Sequence, residues 1–121
     1  MREVCFLIGR GGAILYADAS TSAAALPDSR ARWEAIWQHR HELEAIVHSH
    51  PVGPAAFSAE DESTMAAIDS ALGRPTRYCV VAPRITISRD TLDGEITKLH
   101  PEPWWVAVLR LASGMRTREE I

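Results

Sequence analysis

The chain has 121 residues, of which 46% are hydrophobic and 24% are charged; this composition is typical of a single globular domain and argues against a disordered chain. The formal net charge of −3 and the scattered positions of the basic residues argue against binding to nucleic acid or to an anionic membrane. No apolar segment approaches the roughly 20 residues that span a bilayer, and residues 1–17 do not have the pattern of a signal peptide.

The first half of the chain is predicted to form two strands, a long loop, a helix and a third strand. Apolar runs that end at glycines favour a buried strand and its hairpin partner, and a segment rich in Ser, Thr and Ala favours the loop. Asp28 or Ser29 is the expected N-cap of the helix, in which Trp33 and Trp37 are one turn apart and suit core packing. These elements cover, in order, residues 3–8, 13–17, 18–27, 33–43 and 43–47.

The second half is predicted to form a helix, three strands and a closing helix. Ser58 is the expected N-cap of the first of these helices, and Gly73 is its C-terminal stop. The closing helix carries Trp104 and Trp105, and a strand is the alternative for this segment. The order of the elements indicates a mixed α/β or α+β domain. The three strands and the closing segment cover residues 77–82, 85–88, 94–99 and 103–113.

The two cysteines, Cys5 and Cys79, lie in apolar segments that favour buried strands. Two buried free thiols are expected there in preference to a disulfide, and free thiols suit a reducing compartment. We therefore predict a cytoplasmic protein with one domain over residues 1–121. Neither nucleic acid nor a membrane is expected among its partners.

Two histidines that follow the third strand have the spacing of a metal site. His48 and His50 are two positions apart, and side chains at i and i+2 of a strand point the same way, so both imidazoles can reach one ion. Asp61 lies in the first turn of the next helix and can supply a third, oxygen ligand. Two histidines and a carboxylate leave the fourth position of a tetrahedral zinc ion open, which is typical of a catalytic zinc and not of a structural one.

Each part of this pattern also has a structural interpretation. A single His-x-His is common without a metal, and Ser58-x-x-Asp61 is also the pattern of a helix cap, in which the serine oxygen accepts a backbone N–H. The cap and the metal site are compatible, because a cap fixes Asp61 beside the loop. A second pair, His39 and His41, lies in the predicted helix, where residues i and i+2 point about 200° apart. We interpret this second pair as surface histidines.

At these residues the chain resembles the JAB/MPN metalloenzyme family, also called JAMM, in its compact prokaryotic branch. The family signature is His-x-His-Pro, seven residues, and Ser-x-x-Asp, and it is matched at His48, His50, Ser58 and Asp61. The resemblance implies a single domain with a curved mixed β-sheet flanked by helices, of the cytidine-deaminase-like kind, over nearly the whole chain. It also implies one zinc ion per chain, held by the two histidines and the aspartate.

The family places a glutamate, its general base, in the first core strand, and Glu3 has the matching position. In the family this glutamate takes a proton from water, and the serine, here Ser58, donates a hydrogen bond to the oxyanion. Two features depart from the family pattern: only two residues precede Glu3 where a helix is usual, and Phe6 replaces a glycine. Three other glutamates are therefore alternatives for the base: Glu34, Glu42 and Glu44.

The resemblance implies a zinc metallopeptidase or isopeptidase that acts on the C-terminus of a ubiquitin-like or sulfur-carrier protein. The loop after His50 is short and leaves no room for the insertions with which eukaryotic members bind ubiquitin. The alternatives are a non-catalytic MPN-like scaffold, a relative linked to DNA repair, and a phage-tail or cell-wall peptidase domain. Scaffold members usually lack a metal ligand, whereas all three are present here. Because Trp104 and Trp105 cannot both face inward, one of them is available for a homodimer contact or a substrate edge.

Overall fold

A mixed six-stranded sheet and three α-helices form the part of the protein that the computed structural model describes, residues 1–115. The strands are β1 Val4–Gly9, β2 Ile14–Ala19, β3 Leu43–Ser49, β4 Arg77–Val81, β5 Thr86–Arg89 and β6 Ile96–Lys98, and the helices are α1 Arg30–Gln38, α2 Ala59–Leu72 and α3 Trp104–Ser113. The strand order is β2-β1-β3-β4-β5-β6. Neighbouring strands are antiparallel except β3 and β4, which are parallel because α2 crosses between them.

The sheet buries side chains on both faces, which explains the uninterrupted apolar sequence of β1. On one face α3 covers the sheet, and its Trp105 belongs to the same apolar cluster as Phe6. On the other face α1 and α2 cover the sheet, and their Ile36 and Ile68 join the cluster around Leu7. The predicted α+β fold, a mixed sheet with flanking helices, is confirmed.

The first helix is shorter than predicted. It ends at Gln38, and residues 39–42 form a turn in which the Leu43 N–H donates to the His39 carbonyl (2.9 Å). Leu43 already pairs with β1 in the sheet, so the helix has to end before it. His39 and His41 consequently lie in a turn, and the prediction that they lie in the helix is wrong.

The prediction that Trp37 packs in the core is wrong. The residue is 54% exposed, and the guanidinium of Arg40 lies 4.0 Å from its ring centre. The Ser29 side chain caps α1 and sets a helix phase in which Ile36 faces the sheet, and the next residue is turned about 100° away. Trp33, one turn before Trp37 and about 60° around the helix from Ile36, is partly buried against the cluster, as predicted.

The segment from residue 103 to residue 113 forms a helix, so the strand alternative is wrong. Trp105 is buried and Trp104 is 58% exposed, as expected for neighbouring residues of opposite orientation. Both Cys5 and Cys79 are buried free thiols, as predicted. Among residues 1–115, no helix combines the length and the apolar character that crossing a membrane requires.

Candidate metal centre

The end of β3 brings the two predicted histidine ligands together. His48 lies in β3, and His50 follows the strand directly and continues its pairing through a hydrogen bond from its N–H to the Val81 carbonyl (2.9 Å). Because the chain stays extended here, both side chains face the same side of the sheet. Their Nε2 atoms are 3.0 Å apart, so the two rings converge on one point.

A hydrogen bond to the following loop fixes the orientation of the His50 ring. Its Nδ1 atom lies 3.1 Å from the Pro54 carbonyl oxygen, which can only accept, so Nδ1 carries the proton. In the neutral ring, Nε2 is then left with a lone pair that points at His48. Metal-binding histidines are commonly held in this way, with the second ring nitrogen bonded to a carbonyl.

The cap of α2 places Asp61 opposite the histidines. The Ser58 Oγ accepts the Asp61 N–H (3.0 Å), and the Ser58 N–H donates to Asp61 Oδ2 (2.8 Å), which completes a capping box. The same carboxylate lies 3.3 Å from His48 Nε2 through Oδ1 and 3.4 Å from His50 Nε2 through Oδ2. The cap and the predicted ligand are therefore one side chain, as the sequence allowed.

The distances among these three side chains fit a small divalent cation. They are 3.0–3.4 Å, and a tetrahedral zinc ion with ligands at 2.0–2.1 Å has ligand–ligand distances of about 3.3 Å. Nitrogen and oxygen atoms this close together repel unless a proton or a metal ion lies between them. Two imidazoles and one carboxylate are also a donor set of catalytic zinc sites, so the residues present fit a zinc ion.

Glu3 reaches the same place from the neighbouring strand. It directly precedes β1, whose Cys5 pairs with His48, and it is only 6% exposed. One carboxylate oxygen of Glu3 and one ring nitrogen of each histidine, His48 and His50, all lie within 4.8 Å of one another. Glu3 is thus close enough to be a ligand as well as a base, which the sequence did not indicate.

The three alternative glutamates lie elsewhere. Glu34 forms an exposed ion pair along α1, and Glu42 contacts His39 in the turn after that helix (2.7 Å). Glu44 is exposed near the start of β3, at the opposite end of the strand from His48. Of the four glutamates considered from the sequence, the structure brings only Glu3 to the histidines.

The electrostatics of the cluster favour a cation. Burial acts to raise the pKa of the Asp61 carboxyl, but hydrogen bonds with His48 and His50 outweigh it and hold that pKa far below its usual range. Burial raises the pKa of Glu3, although the nearby histidines act in the opposite direction. Burial acts to lower the pKa of His50, but its hydrogen bonds to Asp61 and Pro54 outweigh this effect and raise it. The histidines therefore lie beside an ionised carboxylate that attracts positive charge.

A cavity of about 720 Å³ lies next to the cluster. Its wall includes the loop at residues 24–28. The Arg32 guanidinium holds this loop next to β2, because it donates hydrogen bonds both to the Pro27 carbonyl (3.1 Å) and to Asp18 (3.0 Å). This loop was predicted, but nothing in the sequence marked it as part of the site. The cluster and Ser58 line this cavity, and so do several apolar or aromatic side chains: Leu26, Phe57, Met65, Ile68 and Tyr78.

A comparison with protein families decides how the chain is classified. The family model described as prokaryotic homologs of the JAB domain matches residues 3–108, a range that begins at Glu3 and includes both histidines and Asp61. The chain belongs to the prokaryotic JAB domain family. The resemblance carried by the motif is confirmed, and the JAB family includes metalloisopeptidases. A search of curated proteins found no match.

Two groups of this JAB domain look like site residues but have other surroundings. Cys5 lines the cavity, yet burial raises the pKa of its thiol to about 12, so the thiol stays protonated and is a poor metal ligand. His39 and His41 lie in the turn that precedes β3, at the far end of that strand from His48. Within residues 1–115, the metal-ligating groups that lie close enough together to share an ion are those around His48 and His50.

Proposed function

We propose that this JAB domain is a zinc-dependent peptidase or isopeptidase, with one zinc ion per chain held by His48, His50 and Asp61. The observation that carries the proposal is the convergence of these three side chains at 3.0–3.4 Å beside the buried carboxyl of Glu3. Such a donor set leaves a coordination position open. When bound, zinc lowers the pKa of water and polarises the carbonyl group of the scissile bond.

The residues of the chain have separate roles in this proposal. Glu3 takes a proton from the attacking water and passes it to the leaving amine. The Ser58 hydroxyl accepts a hydrogen bond from the Asp61 N–H (3.0 Å), so its own proton is free to be donated to the oxyanion that forms on the attacked carbonyl. The capping box that orients Asp61 therefore also orients Ser58.

We further propose that the substrate is the C-terminal tail of a ubiquitin-like or sulfur-carrier protein in the cytoplasm. The loop from His50 to Ser58 is short, and the cavity beside the cluster lies within the usual size range of ligand pockets. A narrow extended tail fits such an approach better than a folded surface does. The apolar residues in the lining of the cavity suit an apolar side chain of the substrate. The two buried free thiols suit a reducing compartment.

The second candidate function is a non-catalytic scaffold that binds a partner. The observation that favours it is the outward side of α3, where Trp104, Val108 and Leu111 are exposed. Residues at i, i+4 and i+7 lie on one side of a helix and form a continuous apolar stripe, which is typical of a protein contact. The stripe lies beyond the sheet face opposite the metal cluster, so the two functions can be tested separately.

Metal content tests the site itself. We expect about one zinc per chain in the wild type and a loss of zinc in the double variant His48→Ala, His50→Ala. The matched control is the double variant His39→Ala, His41→Ala. It also removes two histidine side chains, here from the turn before β3, and should keep the zinc. Equal loss in both variants, or no zinc in the wild type after zinc is supplied, would contradict the metal site and favour the scaffold.

The hydrolytic role is tested with ubiquitin-like and sulfur-carrier proteins that carry a C-terminal extension, whose release is followed by mass spectrometry. Glu3→Gln should keep the zinc and lose roughly 100- to 10,000-fold in turnover, as expected for loss of a general base. Glu44→Gln, an exposed glutamate at the far end of β3, is the control and should behave as the wild type. A zinc-loaded wild type that releases no extension refutes the activity, and a fully active Glu3→Gln refutes the assignment of the base.

A further inference from the structure

The segment that carries Glu3 is held at several backbone positions. The Glu3 N–H donates to the Ser22 carbonyl (2.8 Å), and the Glu3 carbonyl accepts the Ser20 N–H (2.9 Å), so the chain after β2 pairs with it. The Arg2 N–H donates to the Ser113 carbonyl at the end of α3 (2.9 Å). These contacts hold the N-terminal segment against β2 and α3.

A further contact comes from Ser49, the residue between the two histidines. Because neighbouring residues of a strand face opposite sides, Ser49 points away from the imidazoles, and it is fully buried. Its Oγ accepts a hydrogen bond from the Val4 N–H (2.8 Å) and donates to the Arg2 carbonyl (3.4 Å). One hydroxyl therefore spans the residues on both sides of Glu3.

The position of Ser49 in the sheet explains why a side chain is needed there. The ladder between β1 and β3 ends with the pair Cys5 and His48. One residue further, at Val4, the Ser49 hydroxyl takes the place of a backbone carbonyl as acceptor for the Val4 N–H. Val4 is buried, and a buried N–H without an acceptor is strongly disfavoured. Ser49→Ala would leave the Val4 N–H, next to Glu3, without this acceptor.

We propose that Ser49 is a positioning residue for Glu3, a role that rests on the proposed function because it takes Glu3 as the general base. A displacement of about 1 Å in a reacting group can lower a rate by roughly 100-fold. A hydroxyl that fixes the backbone on both sides of Glu3 therefore determines how well the carboxyl is placed. Ser49 also lies between His48 and His50 in the sequence, so it couples the position of the proposed base to that of the proposed metal ligands.

Three variants test this role. Ser49→Ala removes the hydroxyl, and Ser49→Thr keeps one. Ser88→Ala is the matched control, because Ser88 is also a buried serine, on the same face of the sheet and two strands away from β3. For each variant we would measure the zinc content, kcat and KM with the extended substrate, and the residue-resolved amide exchange of Val4 by NMR.

We expect Ser49→Ala to keep one zinc per chain, to lose roughly 10- to 100-fold in kcat at a similar KM, and to exchange the Val4 amide at least tenfold faster. Ser49→Thr should recover both kcat and Val4 protection relative to Ser49→Ala, and Ser88→Ala should change neither. The exchange rate of the Val4 amide does not depend on activity, and it reports directly on the hydrogen bond between Val4 and Ser49.

Other outcomes would overturn the inference in distinguishable ways. An unchanged kcat in Ser49→Ala beside an active wild type would remove the positioning role and leave the proposed function intact. A low kcat with unchanged Val4 exchange would also overturn the inference, because the loss of turnover would then not come from the lost hydrogen bond between Val4 and Ser49. A zinc-loaded wild type without turnover would refute the proposed function itself, and the positioning role with it.

Discussion

The Asp61 carboxylate belongs both to a helix cap and to the predicted zinc site, and two substitutions can separate these roles. It accepts the Ser58 N–H at 2.8 Å and faces His48 and His50 at 3.3 and 3.4 Å. Asp61→Asn keeps an oxygen for the cap and removes the charge, whereas Asp61→Ala removes both. We expect both variants to lose zinc binding, and Asp61→Ala to lose more stability in the absence of zinc.

The size of each effect follows from the cap and from the length of the chain. The cap is worth about 1 kcal/mol, and the charge at the helix N-terminus about 0.3–1 kcal/mol. For 121 residues, an unfolding entropy of about 2.1 cal/mol/K per residue makes 1 kcal/mol equivalent to about 4 °C in Tm. Without zinc, Asp61→Asn should therefore melt about 1–4 °C below the wild type and Asp61→Ala about 5–8 °C below it.

Zinc should separate the variants from the wild type much further. At a free zinc concentration of about 1,000 times Kd, the wild type gains about 4 kcal/mol, or about 16 °C in Tm, and variants that cannot bind zinc gain nothing. The assay is thermal unfolding after chelation, with and without added zinc. Ser58→Ala is the control, because it should lose about 4 °C through the cap and still respond to zinc.

One result would refute the ligand assignment. If Asp61→Asn keeps the full zinc-dependent rise in Tm, Asp61 is not a ligand. Glu3, whose carboxylate lies within 4.8 Å of the histidine nitrogens, would then be the third ligand. In that case Glu3→Gln should abolish the rise in Tm.

Three further predictions concern stability and assembly. Hydrogen bonds from Arg110, opposed by burial, lower the pKa of Glu102, so Glu102→Gln should cost about 1 kcal/mol at pH 7. This difference should shrink as the pH falls from the unfolded-state pKa of about 4.3 through the lowered folded-state pKa, and urea unfolding over a series of decreasing pH values checks it. Tyr78 donates to Asp69 Oδ1 (2.7 Å), so Tyr78→Phe should lower the unfolding free energy by about 1.5–3 kcal/mol, as measured by urea unfolding; an unchanged value would contradict this contact. If Trp104 forms the predicted homodimer contact, Trp104→Glu should sediment as a monomer, and a dimeric variant would exclude it.

The metal cluster could be predicted because its chemistry is local. His48, His50, Ser58 and Asp61 lie in one strand–loop–helix segment, and the geometry of a strand and of a helix cap fixes their directions without knowledge of the rest of the chain. The end of α2 was equally local, because Gly73 adopts the left-handed conformation that a helix stop requires.

The remaining features depend on contacts between distant segments. Residues 18–27 have the composition of a loop, yet β2 extends to Ala19 because that residue pairs with Val4. The exposure of Trp37 depends on which side of α1 meets the sheet, and the apolar spacing of the sequence placed Trp37 on the wrong side of that helix. The position of Glu3 depends on contacts of its neighbours with Ser49 and with α3. These residues are far from Glu3 in the sequence, so no local pattern reveals the contacts.

The contacts of Arg2 also determine the order in which the site can be completed during synthesis. Its Nε donates to the Ala112 carbonyl (3.1 Å), a residue 110 positions later in the chain. The segment with Glu3 and the strands β1, β2 and β3 leave the ribosome before α3 does, because they precede it in the chain. The contact with α3 can form only after that helix has emerged. A nascent chain that stops before α3 therefore carries both histidines but lacks the contacts between Arg2 and α3 that help to hold the segment with Glu3.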